Sequence, residues 1–368
     1  MDTNIGAKER VTQNRLIGLF KNVLKYTYLG NWETREDNAN IEEKLLTAYL
    51  SRRGYTDKEI RSSIVKLKQS ANSLGGGLYN ANKEVYTFLR YGVNIQAEVT
   101  EKKKMVHLID WANPMENDFQ IAEEVTIQGA SDRRPDLVVY VNGIALAVIE
   151  LKRSTVSAHE GIRQNIRNQQ DGYIPRFFTT IQLLFAGNDT EGLHYGVIKT
   201  PEKFWLRWKE PCGEPCQPSH FTAKEYPNEL DRSVLQFFEP VRLLEYIHDF
   251  IIFDGGIKKT ARPNQYFAVK AAQPRVRKKQ NGIIWHSQGS GKSLTMVWLA
   301  QWIRENVSDA RVVIITDRDE LDKQIESGFK DVGEQIQRAK SGGKLIEMLN
   351  AAEPWLICTL IHKFGNKN

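Results

Sequence analysis

The residues best equipped for chemistry lie in RRPDLVVYVNGIALAVIELKRS, where Pro135-Asp136 is followed, after thirteen intervening residues, by Glu150 and then Lys152. Two carboxylates converging on one point give hard oxygen ligands for Mg²⁺. An amine beside them can steady an attacking water and the charge that builds on a phosphate. This PD-x(n)-ExK arrangement is what phosphodiester hydrolysis needs. An ExK triplet alone arises often by chance, but here it closes the apolar run 144–149, which puts it at the end of a buried strand rather than on a solvated helix.

A second chemical signal is GIIWHSQGSGKSLTMVWLAQWI, which sets Gly289, Ser290, Gly291, Lys292 and Ser293 between an apolar strand and an amphipathic helix. In a Walker A loop the glycines let backbone N–H groups close on a phosphate, and the helix amino terminus adds a favourable field. Lys292 would reach the β and γ oxygens and Ser293 would ligand Mg²⁺. His286 stands where the general pattern has its first glycine. Upstream, Arg262 and Gln265 in ARPNQYFAV precede the loop by about one supersecondary unit, and the planar amide of Gln265 could pair with an adenine edge.

The nuclease residues must be positioned by a hairpin, and its turn makes a geometric demand. A regular two-residue loop at Asn142-Gly143 would pair Val141 with Ile144 and Asp136 with Ile149, sending Asp136 and Glu150 to opposite faces. A working site therefore predicts either a three-residue loop with Gly143 at positive φ or a bulge near Pro135-Asp136. Around it, apolar spacing predicts helices over 16–24 and 41–53, strands in MVHLID, FQIAEEVTIQ, DLVVYV, IALAVIELK, IQLLFAG and HYGVIK, and a helix over 158–170. Glu42 on the second helix could add a metal-binding carboxylate. Gln164, Gln169 and Tyr173, on or just after the later helix, could grip a backbone phosphate or support Lys152.

Beyond these, 201–228 reads as a long surface loop, 230–253 as one helix, and GIIWHS, RVVIIT and WLICTL as strands of a doubly wound sheet. A boundary near Gly255 divides the chain into 1–255 and 256–368. Its 368 residues suit two or three domains, and 41% hydrophobic with 26% charged residues is a globular composition, which excludes a wholly disordered chain. No apolar stretch is long enough to span a membrane. Subtracting 45 acidic from 51 basic side chains leaves +6, which permits a polyanionic partner. A polar amino terminus and only three cysteines point to the cytoplasm and to free thiols. Cys212, Cys216 and His220 make a poor zinc set without a second pair. Trp205 and Trp208, flanked by Arg207 and Lys209, could stack on nucleic acid but more simply cover a domain edge.

An ExK site followed by a helicase-type ATP loop resembles the restriction and motor subunit of type I restriction-modification enzymes. The motifs RRPDLVVYVNG, AVIELKRS, GIRQNIRNQQ, LLFAGND, RPNQYFAV, HSQGSGKS and TDRDELDKQ are similar to that family's in the same order, from about Asp132 onward. The resemblance implies an α/β chain with a PD-(D/E)xK endonuclease domain followed by a partial RecA-like lobe. Asp136, Glu150 and Lys152 would cut DNA, Gln265 would read adenine, Lys292 and Ser293 would hold Mg·ATP, and Asp317 with Arg318 would lie in the next helicase motif. It also implies double-stranded DNA as substrate and methyltransferase and specificity subunits as partners. The family's Q-x-x-x-Y pattern is displaced here, since Gln164 is followed by Asn168 and Tyr173 follows Gln169. No Walker B box follows Ser293, so the chain is expected to be an amino-terminal piece lacking ATPase activity. Two competing readings are a helicase whose first domain only clamps DNA and a platform that docks on methyltransferase subunits while sensing nucleotide.

Overall fold

The computed structural model describes residues 5–96, 103–211 and 220–365. They form two compact units, divided at 248/249, with 5–209 and 220–248 in the first. The first unit contains α1 (Ile5–Asn22), β1 (Thr27–Asn31), α2 (Glu43–Arg52), α3 (Asp57–Asn72), α4 (Gly77–Tyr91), β2 (Val93–Ile95), β3 (Lys104–Val106), β4 (Phe119–Glu123), β5 (Leu137–Val141), β6 (Ile144–Leu151), α5 (Ala158–Asn168), β7 (Leu183–Asn188), β8 (Gly192–Gly196), β9 (Leu206–Arg207), α6 (Glu229–Phe238) and α7 (Pro240–Asp249).

Seven strands form one mixed sheet in the order β1-β4-β5-β6-β7-β8-β9. β6 pairs parallel with β7 and antiparallel with β5. β5, β6 and β7 are buried along their whole lengths, which explains why they read as unbroken apolar runs rather than as alternating ones. On one face Val148, Leu184 and Ala186 pack with Ile162 of α5. Phe185, one residue out of phase, points to the other face and meets Phe237 and Phe238 of α6.

Local chemistry corrects two expectations. The helix expected over 230–253 is broken into α6, α7 and a strand, because Pro240 lacks an N–H and holds Glu239 extended, at φ −54° and ψ 125°. The stretch expected to be a surface loop contributes the edge strand β9, and it carries Trp208, fully buried against Phe237 and Tyr195. That tryptophan is core, with no face free for a base. Cys212 and Cys216 lie outside the described residues.

The second unit continues with β10 (Ile251–Asp254), β11 (Ile257–Thr260), α8 (Pro263–Arg277), α9 (Lys292–Asn306), β12 (Val312–Thr316), α10 (Asp319–Asp331), β13 (Ile336–Arg338), α11 (Gly342–Asn350) and β14 (Leu356–Leu360). Its parallel sheet runs β12-β14-β13, and Val297, Ile314, Phe329, Leu356 and Cys358 pack together in its core. RVVIIT and WLICTL are strands as expected. GIIWHS is not: 282–287 carry no strand, and Ile283 and Trp285 are 89% and 91% exposed. Neither edge of the three-stranded sheet takes up this segment, so its backbone has no ladder to join. Among the described residues, no helix is long and apolar enough to cross a membrane.

Candidate active site

β5 and β6 are joined by a two-residue turn in which Asn142 and Gly143 have φ of 53° and 79°, the left-handed pair of a type I′ hairpin. Val141 faces Ile144 and Tyr140 faces Ala145, but the next pair is Val139 with Ala147. Leu146 is the extra residue. Its carbonyl, turned out of the hairpin, accepts Gln182 N at 2.8 Å. Past this bulge Leu137 faces Ile149, so one further step sets Asp136 opposite Glu150 and both on the same face. Gly143 does sit at positive φ. The expected three-residue loop is replaced by a two-residue one, and the bulge lies on β6 rather than near Pro135-Asp136, because the neighbouring parallel strand offers Leu146 a donor there.

The turn is buried, which is unusual for a hairpin tip. Asn142 Nδ2 donates to Leu108 O at 2.9 Å and to Asn117 Oδ1 at 2.8 Å, and Glu42 N donates to Gly143 O at 2.8 Å. At the other end of β6, α5 crosses close because position 161 is glycine. A Cβ there would lie 3.1 Å from Ala186 Cβ and 3.3 Å from Glu150 Cβ. Helix, strand and turn thus fix the backbone on either side of Glu150.

Asp136 Oδ2 accepts Leu151 N at 2.6 Å. Glu150 is fully buried, and among the described residues no donor reaches either of its carboxyl oxygens. Asp136, opposite it in the register, is the charged group that acts on it most strongly. Two facing acceptors can bond only through a shared proton or a cation. Burial, and then the Asp136 charge, push Glu150 well above the ordinary carboxylate range. Burial likewise raises Asp136 to about 6, against the opposing pull of Lys152 and of the Leu151 amide. Burial disfavours charge on Lys152, but Asp136, Glu150 and Glu9 outweigh it and hold the amine above the usual lysine value. Lys152 Nζ donates to Leu151 O at 2.7 Å and pairs with Glu9 Oε1 at 3.4 Å.

Sequence reasoning missed Glu9, which α1 contributes. Gln13, one turn further along α1, donates through Nε2 to Glu123 Oε2 at 2.9 Å, and Arg10 pairs with Glu123 and Glu124. A signal was present. Glu9 and Gln13 extend the stripe of Leu16 and Phe20 at helical spacing, marking the polar head of an apolar face.

Other expected site residues are engaged elsewhere. Glu42 takes a bidentate pair from Arg35, at 3.0 and 2.6 Å. Its helix packs at the turn, the opposite end of the hairpin. Both ends of the Gln169 amide are used, with Nε2 donating to Asn165 O and Oε1 accepting Lys199 N. Tyr173 stacks under Arg133 at 4.1 Å and lines a cleft of about 470 Å³ with Asn38, Ile174 and Arg176. Asp136, Glu150 and Lys152 are not in that lining. Gln164, half-buried, lies one turn beyond Gly161 on α5.

In the second unit, Gly289 and Gly291 have φ of 76° and 84°, and α9 begins at Lys292. Lys292 Nζ donates back to Ser287 O at 3.0 Å and His286 O at 3.3 Å. Gln265 Oε1 accepts Arg262 N and its Nε2 donates to Gly291 O, both at 2.8 Å. Its amide is therefore spent on the loop in this conformation, while Ser293 at the head of α9 is half-buried.

Two family models match the chain. The model of the family "Type I restriction enzyme R protein N terminus" matches residues 7–203, and that of "SWI2/SNF2 ATPase" matches 264–368. A Methanocaldococcus jannaschii protein, provisionally named a type I restriction enzyme endonuclease subunit, is 27% identical over 98% of this chain and 38% of its own length. A Staphylococcus aureus type I restriction enzyme endonuclease subunit is 25% identical over 72% of this chain and 28% of its own length. One from Staphylococcus saprophyticus is 27% identical over 72% and 28%. The chain thus spans less than two-fifths of these relatives. With the first family's model covering more than half of it, the chain belongs to the R subunits of type I restriction enzymes, carrying their N-terminal region.

Proposed function

We propose that the first unit is a PD-(D/E)xK-type endonuclease domain that hydrolyses DNA phosphodiesters with Mg²⁺ held by Asp136 and Glu150. The observation that carries this is the facing pair of carboxyls, with the buried oxygens of Glu150 unpartnered. A hard dication fits that donor set, and when bound it supplies positive charge at the phosphate and makes water a better nucleophile. Lys152, held charged by its acidic neighbours, donates a hydrogen bond to the phosphate oxygen on which charge develops. Glu9 anchors the amine from α1. Leu151 N keeps Asp136 oriented.

The second unit is read as the first RecA-like lobe of a motor, with ATP at 289–293 and Ser293 completing a Mg²⁺ site. There a nucleotide phosphate takes the place of the two carbonyls that now hold Lys292. The names of the relatives support DNA as substrate; methyltransferase and specificity subunits as partners, ATP-driven translocation by the whole protein and a cytoplasmic setting are carried over from the motif resemblance alone.

Calorimetric titration of the chain with Mn²⁺ tests the nuclease reading. Binding is expected in the unsubstituted chain and its loss in Asp136→Asn. No heat in either favours a domain that only clamps DNA. For the nucleotide loop, Lys292→Ala is expected to weaken ATP binding by roughly 30- to 100-fold, the worth of a charge-assisted phosphate contact. An unchanged ATP affinity removes that assignment.

A further inference from the structure

Arg153 directly follows Lys152 in the loop 152–157 between β6 and α5. The β7–β8 turn fixes this loop: Asn188 Nδ2 donates to Val156 O at 2.7 Å and Thr190 Oγ1 to Ser154 O at 3.2 Å. Lys152 N extends the ladder to Gly187 O at 3.0 Å, and Val156 N closes a turn on Arg153 O at 2.9 Å. The backbone that carries Arg153 is therefore pinned at 152, 154 and 156.

Its side chain is exceptional in the first unit. Other arginines are engaged, as Arg10, Arg15 and Arg35 are with acids, or stand in solvent, as Arg167 and Arg176 do. Arg153 is neither. It is only half-exposed, its Nε is shut off from solvent, and among the described residues no hydrogen bond or ion pair meets it. Arg90 and Arg207 also keep a buried Nε unmade, but their terminal nitrogens are bonded to His248 O and Glu229, whereas the whole Arg153 guanidinium is left for a ligand to meet. A planar fork of five donors with no acceptor selects an anion, and phosphate matches it in shape.

We propose that Arg153 binds a backbone phosphate of the DNA strand seated at Asp136, Glu150 and Lys152, fixing the strand's register so that one phosphodiester lies over the carboxyls. This rests on the nuclease reading. Arg153 is then a substrate-binding residue that contributes position and affinity, while the carboxyls hold the cation.

The test measures binding of a short duplex to the whole chain by fluorescence anisotropy across a KCl series, beside Mn²⁺ calorimetry. Arg153→Gln is expected to make the plot of log affinity against log salt shallower by about one unit, the release expected for one phosphate contact. Mn²⁺ affinity is expected to stay unchanged, and Arg153→Lys to restore the slope. A merely structural arginine would alter melting but not the slope. Arg153→Met, which suits a half-buried position, serves as a second neutral variant should Gln impair folding. A slope equal to that of the unsubstituted chain, with Mn²⁺ binding intact, overturns the assignment alone. No Mn²⁺ binding in the unsubstituted chain overturns it together with the nuclease reading.

Discussion

Glu150→Gln is expected to yield a protein that is harder to unfold and unable to cut. Without a cation, Glu150 faces a second acid in a buried site with no donor to meet it. A glutamine amide of the same size donates to the Asp136 carboxylate at any pH, where Glu150 can do so only by keeping a proton. Meeting a buried carboxylate with a permanent donor in this way stabilises by about 1.5–3 kcal/mol, or roughly 3–10 °C in melting temperature. Under the nuclease role proposed above, cleavage by the assembled restriction complex is expected to fall by at least about 10³-fold, because the dication would lose a charged ligand. A variant no more stable than the parent in chelator at pH 8, or one that still cuts, contradicts this account.

The same pair sets a pH dependence with a definite sign. Asp136 rises from an ordinary value of 3.8 to about 6 in the folded state, and Glu150 also lies above its ordinary range. Between those limits the folded chain keeps protons that the unfolded chain has released, so the metal-free protein loses stability as pH rises through about 6. A dication held as proposed by Asp136 and Glu150 would displace those protons, and its binding would tighten over the same interval. Melting curves in chelator and with Mn²⁺, taken from pH 5 to pH 8, are expected to diverge as pH increases.

The second large effect is on folding. Gly143→Val is expected to lower the melting temperature of the first unit by roughly 6–12 °C, from a cost of about 3 kcal/mol. Position 143 has φ of 79°, and a Cβ there would lie 2.7 Å from Leu45 Cβ, 2.8 Å from Glu42 O and 2.8 Å from Leu46 N. Two of those atoms are backbone, one in α2 and one in the residue that caps it, so relief requires moving the head of a helix rather than a rotamer. Thermal unfolding followed by circular dichroism checks this, and a shift under 2 °C would mean that the tip is looser than the contacts imply.

How far the sequence disclosed this arrangement depended on whether the cause was local. The ExK strand was legible because a fully buried strand needs an unbroken apolar run. The demand for one parity shift was legible too, since Asp136 and Glu150 could not otherwise share a face. Its location was not, because the donor that stabilises the bulge is Gln182, thirty-six residues beyond Leu146 and adjacent only in space. Glu42 looked a suitable ligand from its helix, yet an arginine seven residues before it in sequence claims its carboxylate. Glu9 went unnoticed because nothing in one sequence says which strand end a helix will cover. GIIWHS has the composition of a strand, but strands exist only with partners, and here the segment has none.

Because the carbonyl freed at Leu146 is taken by Gln182, the seam between the antiparallel and parallel halves of the sheet depends on the same irregularity that aligns the two acids. Selection for a sheet that folds therefore preserves the alignment even in a lineage with no further use for cutting. Retired copies of such a subunit are expected to betray themselves by changed side chains at Asp136, Glu150 or Lys152, while the hairpin keeps its length.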